Sequence, residues 1–146
     1  MRTRKATWMA VLILGALAGG QALTTASGMK RPAESEYGLG PRSSANGMFV
    51  AMLVPVEPLR VRRMQSITVV ITDPSMHPID NAQITVDGGM PQHRHGLPTR
   101  PRVTGNTGGG VYEIEGVRFN MGGWWEFKLS ITTPAGTDIV TFNLAL

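Results

Sequence analysis

Alternation of hydrophobic and polar positions dominates the chain after residue 46. Residues 65–72 and 125–131 place apolar side chains on one face of an extended segment and mostly polar or small ones on the other, which is typical of strands buried on one side. The same period of two recurs in three further segments, 82–86, 111–115 and 140–144. Residues 48–54 form a continuous apolar run that ends at Pro55, which predicts a strand buried on both faces.

Turn-forming residues separate these segments. Asp73-Pro74, Asp87-Gly88-Gly89, Gly108-Gly109-Gly110 and Pro134-Ala135-Gly136 each lie between two predicted strands, and such residues favour tight turns. No segment after residue 30 shows ten residues of helical periodicity. With a further short strand at 102–104, the pattern predicts an all-β, immunoglobulin-like antiparallel β-sandwich of about seven strands over residues 46–146.

The first 26 residues have the three parts of a secretory signal peptide. Three positive charges lie in residues 1–5, an apolar run covers 8–18, and small residues occupy 24–26. The alternative is an uncleaved membrane anchor, because 8–26 is long enough to span a bilayer. In both cases we expect the rest of the chain in the periplasm or on the outer face of the cytoplasmic membrane. Residues 27–45, rich in Gly, Ser, Pro and charge, predict a flexible linker.

Charge and composition exclude several classes of function. Residues 1–26 hold three Lys or Arg and no acid, so without them the formal charge of +4 falls to +1. No basic stripe remains, and we therefore expect no nucleic-acid partner. The absence of cysteine excludes disulfides, thiolate zinc sites and cysteine nucleophiles. Because the chain also lacks the common hydrolase, zinc-protease and phosphate-loop motifs, we do not expect an enzyme.

One loop carries residues that bind soft metal ions. In an extended segment His93 and His95 would point to the same side, and Met90 lies close by along the chain. Met121, just before the 125–131 strand, could face this loop from a neighbouring connection. Imidazole and thioether without carboxylate or thiolate favour copper, Cu(I) in particular. The predicted metal ligands are therefore Met90, His93, His95 and Met121.

A structural role is the alternative for the same residues. Most His-x-His pairs are hydrogen-bonded surface residues, and methionines often fill gaps in a core. Arg94 adds a positive charge to the loop, which opposes a bound cation. Met76 and His77 form a second possible ligand pair, but they lie in a tight turn and are expected to be solvated.

The two consecutive tryptophans face opposite ways in a strand. We expect Trp125 in the core, because it shares its face with the apolar residues that follow. Trp124 is then expected at the edge or surface, where it could shield a ligand, contact a partner or lie on lipid.

Several of these motifs together resemble the YtkA-like domain family, which is similar to FixH-type proteins. The matching motifs are the Asp-Pro turn, Asn81-Ala82-Gln83-Ile84, Met90-Pro91-x-His93-x-His95-Gly96, Gly110-x-Tyr112 and Met121-x-Gly123-x-Trp125. The resemblance covers roughly residues 46–146 and implies an extracytoplasmic immunoglobulin-like module. Some relatives are associated with copper handling or oxidase assembly, and the four candidate ligands match the family's Met and His positions. FixH proteins keep a membrane helix, which here only residues 8–26 could supply.

Two functions remain open from the sequence. The first is an exported domain that binds or delivers copper through the Met/His loop. The second is a metal-free accessory module of a membrane or periplasmic protein complex. In the second case the imidazoles would be hydrogen-bonded to backbone groups, and Trp124 and residues 27–45 would contact the partner.

Overall fold

The computed structural model describes residues 30–146, so the predicted signal peptide or anchor at 1–26 lies outside the described residues. A short 3₁₀ turn, Glu34–Glu36, precedes the strands. The strands within this part of the chain are β1 (Arg42–Ser43), β2 (Val50–Pro55), β3 (Met64–Thr72), β4 (Gln83–Met90), β5 (His95–Gly96), β6 (Arg102–Gly108), β7 (Val111–Arg118), β8 (Trp124–Thr133) and β9 (Gly136–Ala145).

The strands form two antiparallel sheets. One sheet has the order β1-β2-β3-β7-β6 and the other the order β5-β4-β8-β9, and all the strand pairs are antiparallel. Seven of the strands are six residues or longer, and β1 and β5 have two residues each. The prediction of an all-β antiparallel sandwich of about seven strands is confirmed.

The core lies between the two sheets. Alternate residues of β8 and β9 face inward together with those of β3 and β7, and the largest of them is Trp125. Its ring meets Phe119 edge to face with centroids 5.2 Å apart, a preferred arrangement for aromatic pairs. The prediction that Trp125 belongs to the core is confirmed. Because the chain has no disulfide, this apolar packing holds the two sheets together.

Strand β2 differs from the sequence prediction. It was expected to be buried on both faces, but only Ala51 and Leu53 face the core, whereas Met52 and Val54 are 37% and 42% exposed. Continuous apolar strands are buried on both sides where layers cover both faces of a sheet. In this two-layer sandwich nothing in the described chain covers the outer face of β2.

The predicted linker at 27–45 also differs from the structure, because its second half belongs to the sandwich. Arg42 and Ser43 pair with β2. The amide of Gly38 donates to the carbonyl of Asn143 at 2.9 Å, and that of Ala45 donates to Ile139 at 2.9 Å. The segment has little apolar bulk, but its backbone satisfies hydrogen-bonding groups along the edges of β2 and β9.

Asp138 fixes the turn that leads into β2. Its buried carboxylate accepts the backbone N–H groups of Asn46 at 2.9 Å and Met48 at 3.3 Å. The Ser44 hydroxyl, the largest cause, and these amides lower the pKa of Asp138 from 3.8 to about 2. Hydrogen bonds to the ionised form favour that form, so the charged carboxylate stabilises this turn.

The strand registers define two ends of the sandwich. Met64 lies opposite Arg118 and Gly89 opposite Glu126. The connections 56–63, 91–94, 97–101 and 119–123 therefore lie at one end, which we name the upper end. The connections 44–49, 73–82, 109–110 and 134–135 lie at the other, the lower end. The histidine loop is thus at the upper end and Asp138 at the lower end.

Candidate metal site

The histidine loop is a tight turn between β4 and β5. The N–H of His93 donates to the carbonyl of Met90 at 3.0 Å, Arg94 adopts a left-handed φ of 54°, and Met90 lies opposite His95 in the strand pair. The segment is therefore a turn, whereas the sequence argument had assumed an extended segment. A Cβ on Gly89 would lie 2.5 Å from the carbonyl oxygen of His95, so glycine at this position allows β5 to lie against β4.

The two imidazoles of this turn lie side by side. His93 and His95 are both exposed, and their ring centroids are 6.0 Å apart with planes inclined by 22°. Two imidazoles that share one ion at N–metal distances of about 2.0 Å have centroids no more than about 6.5 Å apart. Both rings are accessible to solvent. The separation of the two rings therefore lies within the limit for two imidazoles on one metal ion.

Met90 has its side chain in the core rather than on the surface. It is 2% exposed, and a Cβ on Gly123 would lie 2.8 Å from its terminal methyl carbon. Met121, two residues before Gly123, is partly buried against the same core, and its carbonyl accepts the Trp125 indole N–H at 3.0 Å. Met90 thus reaches the connection that carries Met121.

The four predicted ligands therefore form two pairs. The imidazoles of His93 and His95 are neighbours on the surface of the turn. The Met90 side chain meets the 121–123 connection in the interior. Position Gly123 was not singled out as a candidate from the sequence, although it leaves the space that the Met90 methyl group occupies. The signal available for it was its place in the Met-x-Gly-x-Trp motif.

Charged side chains of both signs lie around the turn. A surface cavity of about 370 Å³ beside the turn is lined by Arg94, His95, Glu126 and Lys128, among others. Glu126 pairs with Lys128 at 2.7 Å, and Asp87, whose carboxylate accepts the N–H of Gly88 at 2.7 Å, also lines the cavity. Residues 30–146 contain no group of three or more His, Cys, Asp or Glu able to hold a metal ion. A metal here would depend on imidazole and thioether donors, which suit Cu(I).

Trp124 does not lie on the free surface, which corrects the sequence prediction. It is 4% exposed, and its indole N–H donates to the Asn143 side-chain oxygen at 3.0 Å. Residues 31–37 lie beside it, and Asn143 in turn donates to the carbonyl of Glu36 at 3.3 Å. Strand alternation correctly placed Trp124 on the face of the sheet opposite to Trp125. It could not show that residues 31–37, from a distant part of the chain, cover that face. Trp124 therefore packs under this N-terminal segment.

The Met76–His77 pair lies at the lower end and is exposed, as predicted. The His77 ring lies 3.0 Å from the Asp73 carboxylate. Hydrogen bonds from His77 lower the pKa of Asp73. The bond from the His77 backbone N–H has the largest effect, and the bond from its side chain lowers the pKa further. Asp73 thus serves the turn itself, as Asp does in many tight turns.

In the part of the chain that the structure describes, no helix has the length and apolarity to cross a membrane.

Comparisons with known proteins support the family but add little on function. No curated protein matches the chain. A solved structure titled "ZirS C-terminal Domain" is 11% identical, covers 97% of this chain and 88% of its own, and superposes with a TM-score of 0.37. The family model described as YtkA-like matches residues 46–130, which is more than half of the chain. The motif resemblance is thereby confirmed, and the chain belongs to the YtkA-like family.

Proposed function

We propose that this YtkA-like domain is an exported protein that binds Cu(I) through His93 and His95 at the upper end of the sandwich. The observation that carries the proposal is the pair of exposed imidazoles whose ring centroids lie 6.0 Å apart. A structural corner would use its imidazoles to satisfy backbone groups. The exposed ring nitrogens are accessible to a ligand.

Met90 is the residue that positions the imidazoles. Its carbonyl accepts the His93 N–H, and its side chain is anchored in the core, so the start of the turn is fixed before any ion binds. Pre-organised ligands lose less conformational freedom on binding. Met90 and Met121 belong to the core, so the imidazoles carry the proposed site, and either thioether would have to leave its packing to bind the same ion.

Exposure of the imidazoles suits delivery as well as binding. A bound ion would be held on the surface of a turn that a partner protein could approach directly. Bound copper would supply a soft centre that exchanges between imidazole and sulfur ligands. We propose a binding protein rather than an enzyme. The described residues contain no cysteine and no group of three or more His, Cys, Asp or Glu that could hold a catalytic metal ion.

A Cu(I) titration of the exported chain against a competing chelator tests the proposal. The double substitution His93→Ala, His95→Ala should abolish competition with the chelator. His77→Ala is the matched control, since it removes an exposed imidazole at the lower end and should leave the affinity unchanged. An unchanged affinity in the double variant would rule out this site.

A metal-free accessory module is the second candidate. Its support is the uncovered outer face of β2, where Met52 and Val54 are exposed and Met52 lies opposite Val70 on the next strand. Trp124, which the sequence had offered as the contact residue, is buried and no longer supports it. Metal analysis of protein purified without chelator separates the two functions. Copper at one equivalent favours the first, and its absence after purification from copper-supplied cells favours the second.

A further inference from the structure

The cationic side chains are concentrated at the upper end of the sandwich. The three Lys and Arg in residues 1–5 leave eleven in the described chain. Nine of these are exposed on the upper connections, the N-terminal segment or the adjoining strand ends: Lys30, Arg31, Arg60, Arg62, Arg63, Arg94, Arg100, Arg102 and Arg118. The lower connections contain no Lys or Arg but include Asp73 and Asp80. The same regions also carry Glu34, Glu36, Glu57, Glu115 and Glu126, so nine cations and five acids leave an excess of four positive charges there.

The β2–β3 connection presents the densest part of this charge on a fixed backbone. The Gln65 side chain binds both the N–H and the carbonyl of Arg60 at 2.9 and 3.0 Å. The N–H of Arg62 donates to the carbonyl of Phe119 at 2.6 Å. Arg60, Arg62 and Arg63 are all exposed, so three guanidinium groups project from a turn whose backbone is already ordered.

Exposed apolar side chains lie directly beside these arginines. Val56 is 84% exposed and Met64 is 61% exposed, at the end of β2 and the start of β3. Together with Arg60, Arg63 and one acid, Glu57, they line a depression of about 340 Å³. Apolar side chains between cationic ones are typical of surfaces that lie at the interface of an anionic bilayer.

We propose that the upper end docks on an anionic lipid bilayer, with Arg60, Arg62 and Arg63 on the headgroups and Val56 and Met64 at the boundary of the acyl chains. This proposal goes beyond copper binding and does not depend on it. Nucleic acid is disfavoured, because a single-strand site uses exposed aromatic rings and the rings of Phe119 and Trp124 at this end are buried.

The test uses single cysteines, since the chain has none of its own. A polarity-sensitive dye is attached to the full chain at Asn120→Cys, which is exposed at the upper end, or at Ser75→Cys, which is exposed at the lower end. Both proteins are mixed with vesicles of phosphatidylcholine alone or with phosphatidylglycerol added. A membrane segment at 8–26, if retained, contributes equally to both lipid mixtures. We expect a blue shift only at position 120, only with phosphatidylglycerol, and weaker at high salt.

Charge variants complete the experiment. A triple variant should weaken the phosphatidylglycerol-dependent binding about 100-fold, at about fivefold per charge. It combines Arg60→Gln, Arg62→Asn and Arg63→Gln. Asn is chosen at position 62 because it tolerates the left-handed φ of 62°. Lys128→Gln, on β8 and already paired with Glu126 at 2.7 Å, is the single-charge control for Arg63→Gln and should have little effect. Val56→Ser tests the apolar contribution separately and should also weaken binding.

Three results would overturn the proposal. They are equal shifts with and without phosphatidylglycerol, an equal shift at position 75, or equal losses in Lys128→Gln and Arg63→Gln. Tighter and arginine-dependent binding to a DNA fragment at the same salt concentration would assign the basic end to nucleic acid instead.

Discussion

Replacement of Met90 separates its structural role from its role as a ligand. The side chain is 2% exposed, and its methyl group contacts the 121–123 connection. Met90→Ala removes these contacts and leaves a cavity, so we expect the free energy of unfolding of the metal-free protein to fall by about 2–5 kcal/mol. Met90→Leu nearly conserves the volume and should cost less than about 1.5 kcal/mol.

Thermal unfolding followed by circular dichroism measures these two effects. For a domain of this size 1 kcal/mol corresponds to about 4 °C in Tm. Met90→Ala should therefore lower Tm by about 8 °C or more, and Met90→Leu by about 6 °C or less. A change of less than about 2 °C in Met90→Ala would contradict the placement of this side chain in the core.

The Cu(I) affinity of Met90→Leu then tests the ligand role. Leucine fills the space but has no sulfur. If the Met90 thioether binds copper, the Cu(I) affinity of Met90→Leu should be lower by about tenfold or more, because even the loss of an outer-shell partner typically costs that much. Leu129→Met, at a buried position in the sheet away from the turn, is a control for changes in core methionine. If Met90→Leu binds Cu(I) as the natural chain does, Met90 only positions the turn and the imidazoles carry the site.

Two further predictions concern the lower end. The Tyr112 hydroxyl donates to the carbonyl of Ile79 at 2.7 Å and accepts the N–H of Ala82 at 3.0 Å, so Tyr112→Phe should cost about 1–3 kcal/mol in urea unfolding without a change in Cu(I) affinity. A cost near zero would mean that solvent replaces both bonds. The pKa of Asp138 is lowered to about 2, so its contribution to stability is present above pH 3.8 and is lost as the pH falls towards 2. Asp138→Asn should flatten this part of the stability profile, and an unchanged acid limb would show that other carboxylates cause it.

The period of two predicted the fold well because each sheet has one covered face. Trp125 alternates with Glu126 in the sequence, and in the structure the first is in the core and the second is not. The same local pattern could not show what covers the outer faces. The apolar run at 48–54 does not reveal whether a second layer lies over it, and Trp124 is covered by residues distant in sequence.

The metal ligands stay a prediction, and the geometry of the turn that carries two of them differs from the one that the sequence suggested. His93 and His95 are neighbours as expected, although a turn with Arg94 in a left-handed conformation brings them together rather than an extended segment. The clustering of positive charge at the upper end could not be predicted from the sequence. Arg60, Arg94 and Arg118 are far apart along the chain, and only the sheet registers bring their connections to one end.

The charge of the upper end bears on which ion the histidine turn can hold. The turn shares this end with nine cationic side chains and five acidic ones, of which Glu126 is already paired with Lys128. Coulomb repulsion of a bound ion is proportional to the charge of that ion, so a divalent ion is repelled about twice as strongly as a monovalent one. Neutral imidazole and thioether donors do nothing to offset this difference. The electrostatics of the upper end and the softness of its donors therefore favour the same ion, Cu(I), over Zn²⁺ or Cu(II), and an anionic bilayer against Arg60 and Arg63 would reduce the remaining repulsion.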